Sequence, residues 1–482
     1  MTSALDAFQV RAVDAIVRGS GNLVVVGEPG SGKTTVVVAA AAAAVHQGLD
    51  PERLIVLAPT RDSAARLRNQ VTVAVDRPAG APVVRTAASL AHAVLRAAAD
   101  AEGMPVPVLV TGAEQDVMLR EILQGHLNGR VAPLDWAGAV PAHATSLPGF
   151  RAELRDLLMR AAEAGLVPED LEDLAQRAGR PEWRAAAAVM REYLAITTLR
   201  STPSDQGARY DPASVVSEAA DALEAWQGPG KPHWDLVLVD DAQDATAAVH
   251  HLVQALASGG ARVVLVGNAD QAVQGYRGAV PAALAGATAD KGPFALSASV
   301  LELGPGHRQP PVLAAVASAV AQRIGTLGIG SPRSAPVPVA GASGEVHGRA
   351  PVSVITAPHR YGQSRAIAAQ LRRARHGMDG PQVPWSRMCV IARSASQLRE
   401  LRSDLAAADI PCVALGEAVA LHAEPAVEPL LRILRAAAGQ PWTEADALAV
   451  LGSRLVGLDP VALRRLRREL LREDRAGGGI AP

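Results

Sequence analysis

Gly27-Glu28-Pro29-Gly30-Ser31-Gly32-Lys33-Thr34 follows an apolar run, Leu23 to Val26, and opens a helical stretch, Thr34 to Gln47. The pattern G-x-x-x-x-G-K-[ST] between strand and helix is that of a loop wrapped around phosphate. Glycines let the backbone turn its N–H groups inward, and the helix N-terminus adds positive potential. Gly27, Gly30, Ser31 and Gly32 therefore form the cradle, with Thr35 in the first helical turn. Lys33 is placed to neutralise β- and γ-phosphate oxygens, and the Thr34 hydroxyl is a Mg²⁺ ligand. ATP and Mg²⁺ are the expected cofactors. The bland alternative, a glycine-rich turn with a solvated lysine, does not account for the strand before it and the helix after it.

Working outward, three more apolar runs share the texture of the first: Leu54 to Leu57, Leu236 to Val239, and Val263 to Val266. They do not alternate, as expected of parallel strands covered on both faces. Helical patterns follow the first two strands, giving βα alternation and hence an α/β domain. The third run ends in Asp240-Asp241-Ala242-Gln243-Asp244. Two acids after a strand are more often a solvated loop or a helix cap. Beside a phosphate loop the balance reverses: Asp240 becomes the carboxylate that holds Mg²⁺, and Asp241 the one that orients the attacking water.

Between about residue 100 and residue 230 helical spacing dominates, in Ala113 to Leu123, Phe150 to Ala164 and Trp183 to Leu199, which reads as an insertion. Gly325 to Arg349 is Pro/Gly-rich and reads as a linker. Beyond it Val352 to Ile355, Met388 to Ala392 and Cys412 to Leu415 read as strands of a second α/β unit, and the chain turns helical from about Glu424. Among the 482 residues, 49% are hydrophobic and 20% charged, with a net charge of −1, so a uniformly basic protein is excluded but a local basic groove is not. The two cysteines, Cys389 and Cys412, lie in apolar runs and read as core residues, too few for a disulfide scaffold or a zinc quartet. No leader or membrane span is apparent, and a cytoplasmic protein is expected.

The order of these motifs resembles the superfamily 1 DNA helicases of the UvrD/Rep/PcrA type. Leu5-Asp6-Ala7-Phe8-Gln9 is similar to the Q motif, which implies that Gln9 reads adenine. Ala58-Pro59-Thr60-Arg61 and Arg85-Thr86-Ala87-Ala88-Ser89 are similar to the two single-strand contact motifs, implying DNA contacts by Thr60, Arg61, Thr86 and Ser89. Asp240 to Asp244 corresponds to the D-E-x-Q-D box. Gly267-Asn268-Ala269-Asp270-Gln271, with Tyr276-Arg277-Gly278-Ala279, is close to the coupling motif. There Gln271 takes the role of γ-phosphate sensor and Tyr276 that of the base-stacking aromatic. Leu301 to Arg308 is similar to the segment that presents an arginine to the γ-phosphate, here Arg308.

The resemblance implies a RecA-like motor domain 1A over residues 1–99 and 226–300, with a helical insertion 1B over 100–225. It also implies the start of a second, partial RecA-like domain 2A over 301–423 and of a helical domain 2B over 424–482. The implied activity is ATP-dependent translocation or unwinding on single-stranded DNA or a single/double-strand junction, with 3′–5′ polarity, in repair or recombination. The insertion is further similar to the actinobacterial AdnA/AdnB helicase–nuclease subunits, which implies a second helicase–nuclease subunit as partner. Several positions depart from the pattern: Asp241 for Glu, Asn268 for Asp, Ala88 for His, and Gly306-His307 for Asn-Tyr. The last two helicase motifs and the nuclease are not in the sequence, so a truncated motor is expected. An ATP-binding, non-hydrolysing structural subunit is the alternative. Bland readings of single residues also stand at this point: Thr60 and Ser89 as helix caps, Tyr276 as a core aromatic, Arg308 as a surface ion pair.

Overall fold

The structure is a computed structural model that describes residues 5–477, apart from 78–79, 81–82, 139, 200–207, 326, 328, 330–332, 334–351 and 414–425. The chain divides into two compact units, the first running to about residue 345 and the second lying mainly beyond 353.

The first unit opens with α1 (Ala7–Arg18), β1 (Leu23–Val26), α2 (Lys33–His46), β2 (Leu54–Leu57), α3 (Arg61–Val75), β3 (Val84–Arg85) and α4 (Ala87–Ala101). After a detour come β6 (Leu236–Val239), α10 (Ala247–Ser258), β7 (Arg262–Gly267), a short α11 (Ala283–Gly286), β8 (Ser299–Glu302) and α12 (Pro311–Ala321). The six strands form one parallel sheet in the order β3-β2-β6-β7-β1-β8. Alternate residues of each strand face opposite sides, and each side is dry. Val24, Val26, Val237 and Leu265 pack under α4 and α10. Leu23, Val25, Leu238 and Val266 pack under α1, α2 and α3. Burial on both faces is why these strands read as unbroken apolar runs. Alanines of α2, Ala40, Ala41 and Ala44 among them, let that helix lie close on the sheet.

The detour holds β4 (Val108–Leu109), α5 (Gly112–Leu127), α6 (Pro148–Glu163), α7 (Pro168–Arg177), α8 (Glu182–Leu199), β5 (Arg209–Tyr210) and α9 (Ser214–Ala225). Helices α5 to α8 enclose their own core around Met118, Leu119, Leu154, Leu158, Val189 and Tyr193. The pair β4-β5 closes the neck of this insertion in parallel register. The far end departs from expectation. Helix α9 was assigned to the insertion by position, yet Val215, Ala219, Ala220 and Leu223 belong to the core of the main sheet. Its apolar stripe faces α4 and α10, so the insertion ends at β5.

The expected boundary at residue 300 falls inside β8, which pairs with β1 along Leu23↔Ser299 to Val26↔Glu302. In the second unit α13 (Arg360–Arg375) and α14 (Ala395–Ala407) pack through Ala368, Leu405 and Ile410. They are followed by α15 (Glu428–Ala437), α16 (Glu444–Leu451) and α17 (Pro460–Gly477). The strands expected at Val352 to Ile355 and Met388 to Ala392 are not hydrogen-bonded into a sheet. Val354 and Ile391 are almost fully exposed, and these runs have no neighbour to complete a ladder among the described residues. The run Cys412 to Leu415 leaves the described residues after Val413. Both cysteines are exposed, which corrects their reading as core. Among the described residues, no helix is long and apolar enough to cross a membrane.

Candidate nucleotide and nucleic-acid site

The phosphate loop sits between the C-terminal end of β1 and the N-terminus of α2, where a parallel α/β sheet gathers its binding residues. Gly30 and Gly32 have φ of 85° and 87°, a left-handed conformation that a side chain would strain. A Cβ on Gly32 would also collide with the Gln9 amide. The loop curls around the Lys33 ammonium, which donates to the carbonyls of Gly27 (3.0 Å) and Glu28 (3.1 Å). Lys33 also donates to Oε1 of Gln271 at 2.5 Å, joining the phosphate loop to the turn after β7. Burial lowers the Lys33 pKa, and the neighbouring Asp241 and Asp240 carboxylates partly offset this.

Asp240 ends β6 and accepts the Thr34 hydroxyl at 2.9 Å (Oδ2) and 3.3 Å (Oδ1). Burial, with Asp241 next to it, pushes the Asp240 carboxyl up to about 6. Asp241 adopts a left-handed backbone (φ 49°, ψ 44°) and accepts from Gln243 Nε2 at 3.1 Å. Among side chains, Asp tolerates that conformation better than most, which gives a physical reason for the shorter acid here. The set fits Mg–ATP on its chemistry. A buried carboxylate with a half-buried one next to it, beside a threonine hydroxyl, suits a divalent cation, and the lysine is held by carbonyl and amide oxygens of the kind phosphate oxygens replace. The Ser31 hydroxyl is buried with no protein partner, inside the same cradle.

Several further residues build the frame. Asn268 Nδ2 donates to the Gly27 carbonyl (2.9 Å), while its own backbone N–H donates to Gln243 Oε1 (3.0 Å). Asp244 accepts the backbone N–H groups of Val273 (2.9 Å) and Gln274 (3.1 Å). The acidic box and the coupling segment are thereby one rigid piece. Gln9 caps α1 reciprocally with Asp6, and its Nε2 donates to the Ser31 carbonyl at 3.0 Å. Its amide thus supports the phosphate loop in this structure. His307 Nε2 lies 2.7 Å from the Asp6 carboxylate. Burial works to raise the Asp6 carboxyl, but the Gln9 amide and His307 outweigh it and hold it below its usual range. A Cβ on Gly306 would stand 2.5 Å from the Pro29 carbonyl, so the phosphate loop itself requires glycine at this departure from the pattern. Arg308 is exposed, and its Cβ lies beside Gly30, 3.0 Å from where a Cβ there would be.

Thr60, Arg61, Thr86 and Ser89 all sit at helix N-termini next to the C-terminal ends of β2 and β3. The Thr60 hydroxyl caps α3 with Ser63, and Thr86 accepts the Ser89 amide at 3.3 Å. The capping reading thus holds for Thr60 but not for Ser89, because the cap of α4 is Thr86 and Ser89 donates to it. Arg61 and Ser89 are exposed beside them. Burial, with Arg68 and Arg96 nearby, lowers the Arg85 pKa, so three arginines lie near one another on this flank. Tyr276 is 72% exposed with Arg277 5.3 Å from its ring centroid, so it is not a core aromatic. Arg160 and Glu163, at the end of α6, lie against Gly278 and tie the insertion to the coupling segment. A groove of about 500 Å³ lined by Glu28, Pro29, Asn268, Gln271, Pro305 and the apolar face of α12 flanks the loop.

Residues 5–291 match the model of the UvrD/REP helicase N-terminal domain. The chain is also 24% identical over 284 residues to the protein described as DNA helicase II of Escherichia coli (strain K12). That match covers 57% of this chain and 35% of the relative, so the chain spans about a third of the length of the relative it matches.

Proposed function

The chain belongs to the UvrD/REP helicase family, and from that premise we propose that it is an ATP-driven motor acting on single-stranded DNA or a single/double-strand junction. Movement with 3′–5′ polarity, a role in repair or recombination, and assembly with a second helicase–nuclease subunit belong to the same proposal. So does the reading of the second unit as the opening part of a second motor domain.

The contact that supports this best is Lys33 to Gln271, because it links the phosphate loop directly to the segment carrying Tyr276. In the proposed reaction Lys33 neutralises triphosphate oxygens while Asp241 orients water for in-line attack. Thr34 and Asp240 would hold Mg²⁺, which supplies positive charge to the β- and γ-phosphate oxygens. Gln271 reports the γ-phosphate, and Arg308 stabilises charge on the transferring group. The alternative, a nucleotide-binding subunit without hydrolysis, draws on Asp241, whose short carboxylate is engaged by Gln243.

ATP turnover with and without single-stranded DNA, beside a Lys33→Ala control, separates the two. DNA-stimulated turnover that the control abolishes supports the motor. Nucleotide binding with no turnover supports the subunit.

A further inference from the structure

Gly325 to Arg349 reads as a linker, yet Arg333, one of its described residues, pairs with the turn after β7. Arg333 donates from Nε to Oδ2 of Asp270 at 2.9 Å and from Nη2 to Oδ1 at 2.8 Å, a two-pronged pair. The same guanidinium donates to the carbonyls of Ile324 (3.2 Å) and Gly325 (3.3 Å), which fixes its own position. The two side chains are only 18% and 12% exposed, so solvent screens the pair weakly.

Asp270 is the residue before Gln271 in the three-residue turn Ala269–Gln271, none of whose residues is buried. A turn this short, half-buried at each residue, relies on its polar ties for its position. From one side it is tethered by the Asp270 amide donating to Asn268 Oδ1 at 2.9 Å, and Asn268 in turn grips Gly27. From the other side it is held by Arg333. Gln271 reaches Lys33 from between these anchors.

We propose that Arg333 is a positioning residue for γ-phosphate sensing: its fork on Asp270 sets the turn so that the Gln271 amide meets Lys33 and the terminal phosphate. The inference rests on the nucleotide-site reading above and adds a residue outside every motif of that reading. Arginine suits the task because its planar fork fixes orientation, whereas a lysine supplies charge without direction.

The test is equilibrium binding of fluorescent ADP and a fluorescent non-hydrolysable ATP analogue, both with Mg²⁺, to the full 482-residue chain. Wild type should prefer the triphosphate. Arg333→Ala should lose roughly tenfold of that preference, the worth of one hydrogen bond to an anion, with ADP affinity within about twofold. Arg333→Lys should recover only part of it. Asp270→Asn should match Arg333→Ala, and the double variant should lose no more than either, since one pair is removed each time.

A preserved preference in Arg333→Ala overturns the proposal, as does a parallel loss of both affinities, which a mere structural staple would give. Additive losses in the double variant overturn it too. If wild type binds both nucleotides equally, this inference fails while nucleotide binding stands. If wild type and Lys33→Ala bind neither, the site reading itself fails.

Discussion

Arg308 is exposed and held beside Gly30 by the close passage of Gly306 under the loop, so it is free to act on charge that develops only during transfer. Arg308→Ala is therefore expected to cut ATP turnover by a factor of roughly 10³ or more while nucleotide affinity changes little; steady-state kinetics beside direct binding will tell. A rise in KM at constant kcat would instead make Arg308 a ground-state anchor. Tyr276 offers a solvent-facing ring at the far side of the same segment. Tyr276→Ala should weaken single-strand binding by roughly 1–3 kcal/mol and leave DNA-independent turnover alone, as read by fluorescence anisotropy beside an ATPase assay. Equal loss of both would place the ring in the fold rather than in the interface. The substitutions that set this chain apart from its family pattern divide by cause. Gly306 and Asp241 follow from local backbone geometry. For Asn268 the structure shows a shared hydrogen-bond hub, and for Ala88 nothing in the structure explains the choice.

Elements carry the next set of effects, because the site is assembled from strand ends. Asp244 joins the turn after β6 to the segment after β7 through two backbone amides. Asp244→Ala strands both donors and should lower the unfolding free energy by roughly 1–3 kcal/mol; a urea midpoint equal to wild type would show the tie to be idle. On α10 the His250 ring is buried against Phe294, with centroids 5.4 Å apart, and burial lowers its pKa from 6.5 to about 4. The unfolded chain thus binds a proton between those values that the folded chain refuses. Stability is full above pH 6.5 and falls as pH drops toward 4, by up to about 3 kcal/mol. His250→Leu should flatten that slope in thermal melts across the window. Strands β1, β2 and β6 were legible to the residue because their two-sided burial writes an apolar run. The two-residue β3 is too short to show a pattern, and β8, with three of its four residues exposed, writes no apolar run. Helix α9 lay within the stretch read as insertion, and its partnership with the sheet was not legible, while the runs near Val354 and Ile391 show that a strand-like composition without a neighbour makes no strand. Within the site, contiguous motifs could be read. The contacts of Asp6 with His307, Asp244 with Val273, and Arg333 with Asp270 could not, because each joins residues that only the fold brings together.

At the scale of the whole molecule, a net charge of −1 leaves DNA affinity to a local field rather than to the overall balance. Arginines 68 and 96 lie near Arg85, the residue before Thr86. Binding to single strands should weaken with salt by about 0.7 logarithmic units per phosphate engaged, and Arg96→Ala should reduce the measured slope by about one such step. An unchanged slope would move the interface elsewhere on the unit. The sheet order has a different consequence. Strand β1, which carries the phosphate loop, lies between β7 and β8, so Leu23 finds its ladder partners only at Val264 and Ser299. On a ribosome adding roughly 5–20 residues each second, Leu-Val-Val-Val waits on the order of ten to fifty seconds with both edges bare. Throughout that interval β1 has no native strand beside it. Long-range parallel pairing of this kind is slow and exposed to aggregation, so the architecture that places Lys33 at the heart of the sheet also leaves its strand open to mispairing for most of the domain's synthesis.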